Sequence, residues 1–269
     1  TLGIHSYQKK SATFDEPVHM ASAYAQIVLD DHRIDPTHPP LLRLWAGLPM
    51  WFEKESLRFN QESDAWKDFN QWRFAAEFLY RDNDAREILA QSRFMMLLLG
   101  LVLAAFLYLW AMDIGGFRMG LFALGLYLFE PNMFAHARLV TTDFGFTLSV
   151  FATAYFLWRV LGHMTLANTL GFALAMTCAL LSKFSSVLLV PFVCAFLLWR
   201  FCSSALWTST LFHDANRFSA KGIKIGTIVF TALTVAVLGI WAAYGWHYLP
   251  SADENSDLVF TTLERSRQV

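Results

Sequence analysis

Asp15 and Glu16, neighbouring carboxylates in the stretch TFDEPVHM, head a polar segment of about ninety residues that runs into a mostly apolar remainder. Carboxylates just outside a membrane stand where an enzyme acting on a lipid-linked substrate would keep its chemistry. A second group follows in EPNMFAHARLVTTDFG, which carries His136, Arg138 and Asp143, and a third in ALLSKFSS, which carries Lys183. Arginine makes forked contacts to phosphate and lysine supplies a compact charge. Acids for the acceptor and cations for a departing phosphate are what a group transfer from a phosphate-linked donor requires. Each residue also has a plainer reading. Asp15, Glu16 and Asp143 suit helix starts, Lys183 can snorkel to a membrane interface, and His38 in THPP and His136 can serve only to hold their loops.

The elements that must position these residues are membrane helices. Apolar residues make up 55% of the chain and aromatic residues 16%, with 25 Phe and 10 Trp, well beyond the needs of a soluble core. A net charge of -1 gives no basic face for nucleic acid. Cys178, Cys194 and Cys202 lie in or beside apolar segments without metal or redox spacing and read as small buried residues. Crossing a bilayer takes about 20 mostly apolar residues. Windows at Phe94–Met112, Met164–Ser182, Phe184–Trp199 and Ile225–Trp246 meet or approach that length, and Met119–Phe129 and Phe144–Trp158 are shorter. Six crossings are expected.

Before them, Pro17 after two acids predicts a helix from about Glu16 to Leu29. Asp35-Pro36 and Pro39-Pro40 break the chain. Leu41 to Phe52 is then an apolar, Trp-rich stretch too short to span, which predicts a helix lying at the interface. Tyr24, Trp45 and Trp51 are expected as interfacial anchors, and residues 53–91 as amphipathic and helical. The domain reading is an extracytoplasmic loop over 1–91, a bundle over 92–246 and the start of a later outer segment over 247–269. Orientation rests on short-loop cations. With 1–91 outside, the inner loops hold Arg118, Arg159, Arg200, Arg217, Lys221 and Lys224, against Arg138 and Lys183 outside. This places Asp15, Glu16, His38, Arg138, Asp143, Lys183 and His247 on the outer side.

The same residues carry a resemblance. TFDEPVHMASAYAQ, the Asp31–Leu41 stretch DHRIDPTHPPL, EPNMFAHARLVTTDFG and ALLSKFSSVLLVP, in this order from about residue 12 to 250, resemble glycosyltransferase family 39. That group includes protein O-mannosyltransferases and the aminoarabinose transferases that modify lipid A. The resemblance implies a type C glycosyltransferase fold, an all-α polytopic membrane bundle whose first outer loop carries interfacial helices and the catalytic acid. It implies inverting transfer of a sugar from a polyprenyl-phosphate carrier, undecaprenyl or dolichyl in type, to a hydroxyl of a protein, lipid or glycan. By motif, Asp15 would be the base with Glu16 beside it, Asp143 the acid of the second outer loop, Lys183 a carrier-phosphate lysine and Arg138 a basic residue of the same loop. His38 and His136 are further substrate-contact candidates. Some relatives hold a divalent cation, and Asp15, Asp143, His19 or His38 have ligand chemistry for one, although spacing alone does not assemble them. The setting implied is the periplasmic face of a bacterial inner membrane.

Relatives usually begin with a spanning helix before the acidic pair and continue with more helices after Tyr244–Trp246. The chain is therefore expected to be a fragment or a reduced member. Two other functions compete: a transporter or flippase, and an inactive, truncated relative that only binds lipid or partners. A transporter would set its ionisable residues at mid-membrane, whereas here they sit at the outer ends.

Overall fold

The computed structural model describes residues 10–212 and 217–246. His247 and the outer segment expected over 247–269 lie outside the described residues. The described residues are mostly helical and divide into two compact units, one of residues 10–98, 135–141 and 244–246, the other of residues 99–134, 142–212 and 217–243.

The first unit contains α1 (Glu16–Val28), α2 (Leu41–Phe52), α3 (Asp64–Lys67), α4 (Gln71–Ala76), a π-helical turn over Glu77–Asp82 and the start of α5 (Ala85–Phe129). α1 begins at the acid and proline, as the charge and ring geometry predict. α2 has the expected bounds. It buries Leu42, Ala46 and Met50 and leaves Leu48, Trp51 and Phe52 exposed, the two-faced pattern of a helix with a protein side and an apolar outer side. Its Gly47 lies so close to α1 that an added Cβ would stand 2.7 Å from the Ala23 Cβ. Tyr24, expected at the interface, is instead buried and stacks on Phe59 with centroids 5.0 Å apart, within an aromatic core of Trp66, Phe74 and Phe78. Trp45 donates to the Met95 carbonyl at 2.8 Å, and Trp51 stays exposed beside the Lys54 ammonium. Residues 53–84 form short turns rather than one amphipathic helix. Caps from Ser63 and Asn70 start new short segments there.

The second unit contains the rest of α5, α7 (Thr142–Gly162), β1 (His163–Met164), α8 (Leu166–Ser182), a 3-10 turn over Phe184–Leu188, α9 (Leu189–Cys202), β2 (Thr208–Ser209) and α10 (Phe218–Ala243); α6 (Pro131–His136) links α5 to the next loop. α5 is two arms that reverse at Gly116, where φ is 77°, a conformation open to glycine at little cost. The arms run side by side. Tyr127 donates to the Gly100 carbonyl at 2.9 Å, and Gly120 lies against Tyr108. The six apolar windows lie mostly in helices, but among the described residues four helical runs rather than six are long and apolar enough to cross a membrane, since the two arms of α5 form one run and Leu166–Ser182 is shorter. Cys194 and Cys202 are exposed rather than buried, on a helix whose outward side is nearly all apolar.

At the Gly162 end of α7, several cations expected as loop charges have local work. Arg159 pairs with Asp113 at 2.8 Å. Arg200 donates to the carbonyls of Leu161, Ala205 and Leu206, while buried Lys221 and Lys224 donate to those of Ser203 and Trp207. Last-turn and loop carbonyls left open by the helices are thereby satisfied.

Candidate active site

α1 separates its two leading acids. Asp15 precedes the helix with an exposed carboxylate that makes no capping hydrogen bond, so the capping role open to it in the sequence is not used. Glu16, one residue on, is fully buried. Its Oε1 accepts from Arg93 Nε at 2.9 Å and from the Val140 amide at 3.0 Å. Oε2 accepts from Arg93 Nη2 at 2.6 Å and from the Thr13 amide at 2.7 Å. Burial, the largest influence, raises the Glu16 pKa. The Arg93 hydrogen bond, the two amides and the Arg93 charge together outweigh it, and the carboxyl is held below its ordinary value. Arg93 also donates to the carbonyls of Lys10 and Ser11 at 3.0 and 2.9 Å. One buried ion pair thus ties the start of α1, the chain before it, the first turns of α5 and the 135–141 loop. Glu16, a catalytic candidate by sequence, has the surroundings of an organiser, with four donors on a carboxylate closed to solvent.

A second buried knot fixes the DPTHPP turn. Arg43 on α2 turns inward, donates to the Asp35 carbonyl at 2.7 Å and to that of His38, and lies 3.4 Å from the Asp35 carboxylate. Thr37 also donates to Asp35, and its hydroxyl is 2.9 Å from His38 Nδ1. His38 is half-buried in this turn, in keeping with the anchoring role open to it in the sequence. The His19 ring stands edge-on to it at 5.4 Å. Burial first, and then the Arg43 charge, push the His19 imidazole down to about 4, against the opposing pull of Asp35 and Glu16. Asp35 titrates below its ordinary range. Burial, which raises it, is outweighed by Arg43 and by the Thr37 hydrogen bond.

In the second unit, Asp143 lies in the first turn of α7 and Lys183 directly follows α8. Forty residues apart in sequence, they meet with Lys183 Nζ 2.5 Å from Asp143 Oδ1. Both remain accessible, at 36% for Lys183 and 64% for Asp143, so an anion has a route to the ammonium. The pairing of α7 with α8 brings a first-turn acid and a helix-end lysine into one ion pair. A cavity of about 550 Å³ in the same unit lies at the other end of α7, among Trp110, Trp158, Leu161, Phe196 and Trp199. Its lining is mostly apolar, with Arg200 and Ser203 as its polar members, and holds no carboxylate or imidazole.

His136 is exposed at the end of α6 and Arg138 is half-buried in the following loop. Among the described residues no three His, Cys, Asp or Glu side chains gather as a metal site would need, and Asp143 is engaged by an ammonium. Sequence reasoning missed Arg93 and Arg43. The only trace of Arg93 is its position, one charge at the threshold of the first apolar window. Arg43 is the single charge inside the apolar α2 stretch.

Residues 89–216 match the family of dolichyl-phosphate-mannose-protein mannosyltransferases. This is a family of the glycosyltransferase 39 type, and the resemblance carried by the motifs is borne out over that stretch. The match takes in His136, Arg138, Asp143 and Lys183 and begins just before Arg93, while Asp15, Glu16 and His38 precede it. No curated protein matches the chain, and no solved structure does either. With four helices long enough to span, the family supports an all-α polytopic membrane protein and a membrane glycosyltransferase of the mannosyltransferase type.

Proposed function

We propose that this chain is an inverting transferase. It moves a mannose-type sugar from a polyprenyl phosphate to an acceptor hydroxyl of a protein, lipid or glycan, on the outer face of a bacterial inner membrane. The observation that carries the reading is the accessible Asp143–Lys183 pair, set inside the stretch that matches a lipid-phosphate-sugar family.

Asp15 takes the proton of the acceptor hydroxyl, whose oxygen forms a bond to the anomeric carbon as the bond from that carbon to the phosphate oxygen breaks. The electron pair leaves on the phosphate, whose charge Lys183 neutralises. Asp143 holds the lysine until phosphate replaces it. One displacement with a base on one side and charge stabilisation on the other inverts the centre without a covalent enzyme intermediate. Glu16 organises the loop that carries Asp15. His38 fixes the proline turn, and His136, exposed near Arg138, is a further phosphate contact.

The test is transfer from radiolabelled polyprenyl-phosphate mannose by the full chain in native-lipid nanodiscs, with membrane extract as acceptor. Asp15→Asn is expected to lower turnover by roughly a hundred- to ten-thousand-fold at unchanged donor binding. Lys183→Ala is expected to weaken donor binding. Wild-type turnover in Asp15→Asn would remove the base assignment.

A further inference from the structure

The residue before the exposed acid is an exposed aromatic. Phe14 is 78% accessible, and its ring lies 4.3 Å, centroid to centroid, from that of Trp72 on α4, itself 44% accessible, with 36° between the planes. The unit has an aromatic core close by in sequence, where Phe74 and Phe78 are wholly covered, yet these two rings are left outside it. They are also firmly placed. The carbonyls of Lys10 and Ser11 are held by Arg93, and the Thr13 amide is held by Glu16, whose own amide returns to the Thr13 carbonyl. Phe14 and Asp15 are thus the crest of a turn anchored on both sides.

Two kinds of occupant suit an exposed aromatic pair: a membrane interface or a ligand. The flanks decide between them. Trp72 sits between Gln71 and the 61% exposed Arg73, which pairs with Glu77, and charged residues continue along 62–87. The face fitted to lipid is instead on α2, where Leu48, Trp51 and Phe52 are exposed together. An exposed aromatic face beside a carboxylate is a surface on which a pyranose ring binds, its C–H face against the rings.

We propose that Phe14 and Trp72 form an acceptor platform for a sugar ring, which presents one of its hydroxyls to Asp15. The inference rests on the assignment of Asp15 as base, and it narrows the acceptor to a glycan or glycosylated molecule.

The experiment follows the emission of Trp72, taken as the difference between the full chain and Trp72→Phe, in nanodiscs titrated with linear mannotriose. Saturable change is expected, with affinity about two- to tenfold weaker in Phe14→Ala, the effect of losing one stacked ring. Asp15→Asn is expected to retain the binding while losing transfer. Normal transfer by Asp15→Asn with intact binding would therefore sink the base assignment and spare the platform. Absence of any response to mannotriose overturns the platform. So does a response only to a serine- and threonine-rich peptide, and so does quenching of Trp72 by brominated phosphatidylcholine, which would mark a membrane anchor.

Discussion

Replacing Arg93 by alanine should undo the loop that carries Asp15. The substitution removes two charge-assisted bonds to Glu16 and two bonds to the carbonyls of Lys10 and Ser11, and leaves a fully buried carboxylate with only two amide donors. All four bonds have the charged guanidinium as donor, and such bonds contribute roughly 1.5–3 kcal/mol each. Breaking a buried pair on one side costs about 3–5 kcal/mol, because the remaining charge stays desolvated, and the figure adopted for Arg93→Ala is therefore about 4 kcal/mol of local opening. The assay is amide hydrogen exchange of the full chain in nanodiscs. Protection of the Thr13 and Val140 amides, which end on Glu16, should fall by about three orders of magnitude, while amides in the middle of α8 keep theirs. The double variant Arg93→Met with Glu16→Gln should recover much of the loss, since no charge is then left without a partner. Unchanged protection in Arg93→Ala, or a double variant no better than the single one, would refute the ion pair as the organiser of this loop.

Acid should loosen the same unit in two separate steps. A His19 held at about 4 against an ordinary 6.5 contributes stability that is present above pH 6.5 and lost as pH falls from 6.5 towards 4, about 3 kcal/mol in all. Glu16, held below its ordinary value, gives way only below about pH 4.5. Exchange of the α1 amides measured from pH 7 to 4.5 should show the first step, and His19→Gln should flatten it. A slope that survives His19→Gln would assign the effect elsewhere. Gly47→Leu should force α1 from α2, since even a Cβ meets Ala23 at 2.7 Å. The expected cost is about 1–3 kcal/mol, seen as a lower Tm, and an unchanged Tm would mean that the helices yield at no cost.

Much of the fold was legible because it depends on local composition. Pro17 after two acids marks the start of α1, and the prolines around His38 mark its separation from α2. The reversal inside α5 was legible only as two apolar windows around Gly115 and Gly116, since φ at one glycine is a property of the packed hairpin. Tyr24 was misread because a tyrosine at an interface and one stacked on Phe59 look the same in sequence. Residues 53–84 were misread because their polar pattern suits a helix, whereas Ser63 and Asn70 cap separate short ones.

By itself the sequence determined the membrane class, the positions of the apolar helices and the residue types available for a phosphate-linked transfer. These follow from hydrophobicity, length and side-chain chemistry, all of which are local. Only the tertiary structure distinguished Asp15 from Glu16, two carboxylates with the same neighbours in sequence. One is open to solvent, and the other is closed over by Arg93, 77 residues away. It likewise brought Lys183 to Asp143 across forty residues. Which charge is buried and which is free depends on what packs around it, and a run of adjacent residues carries no record of that.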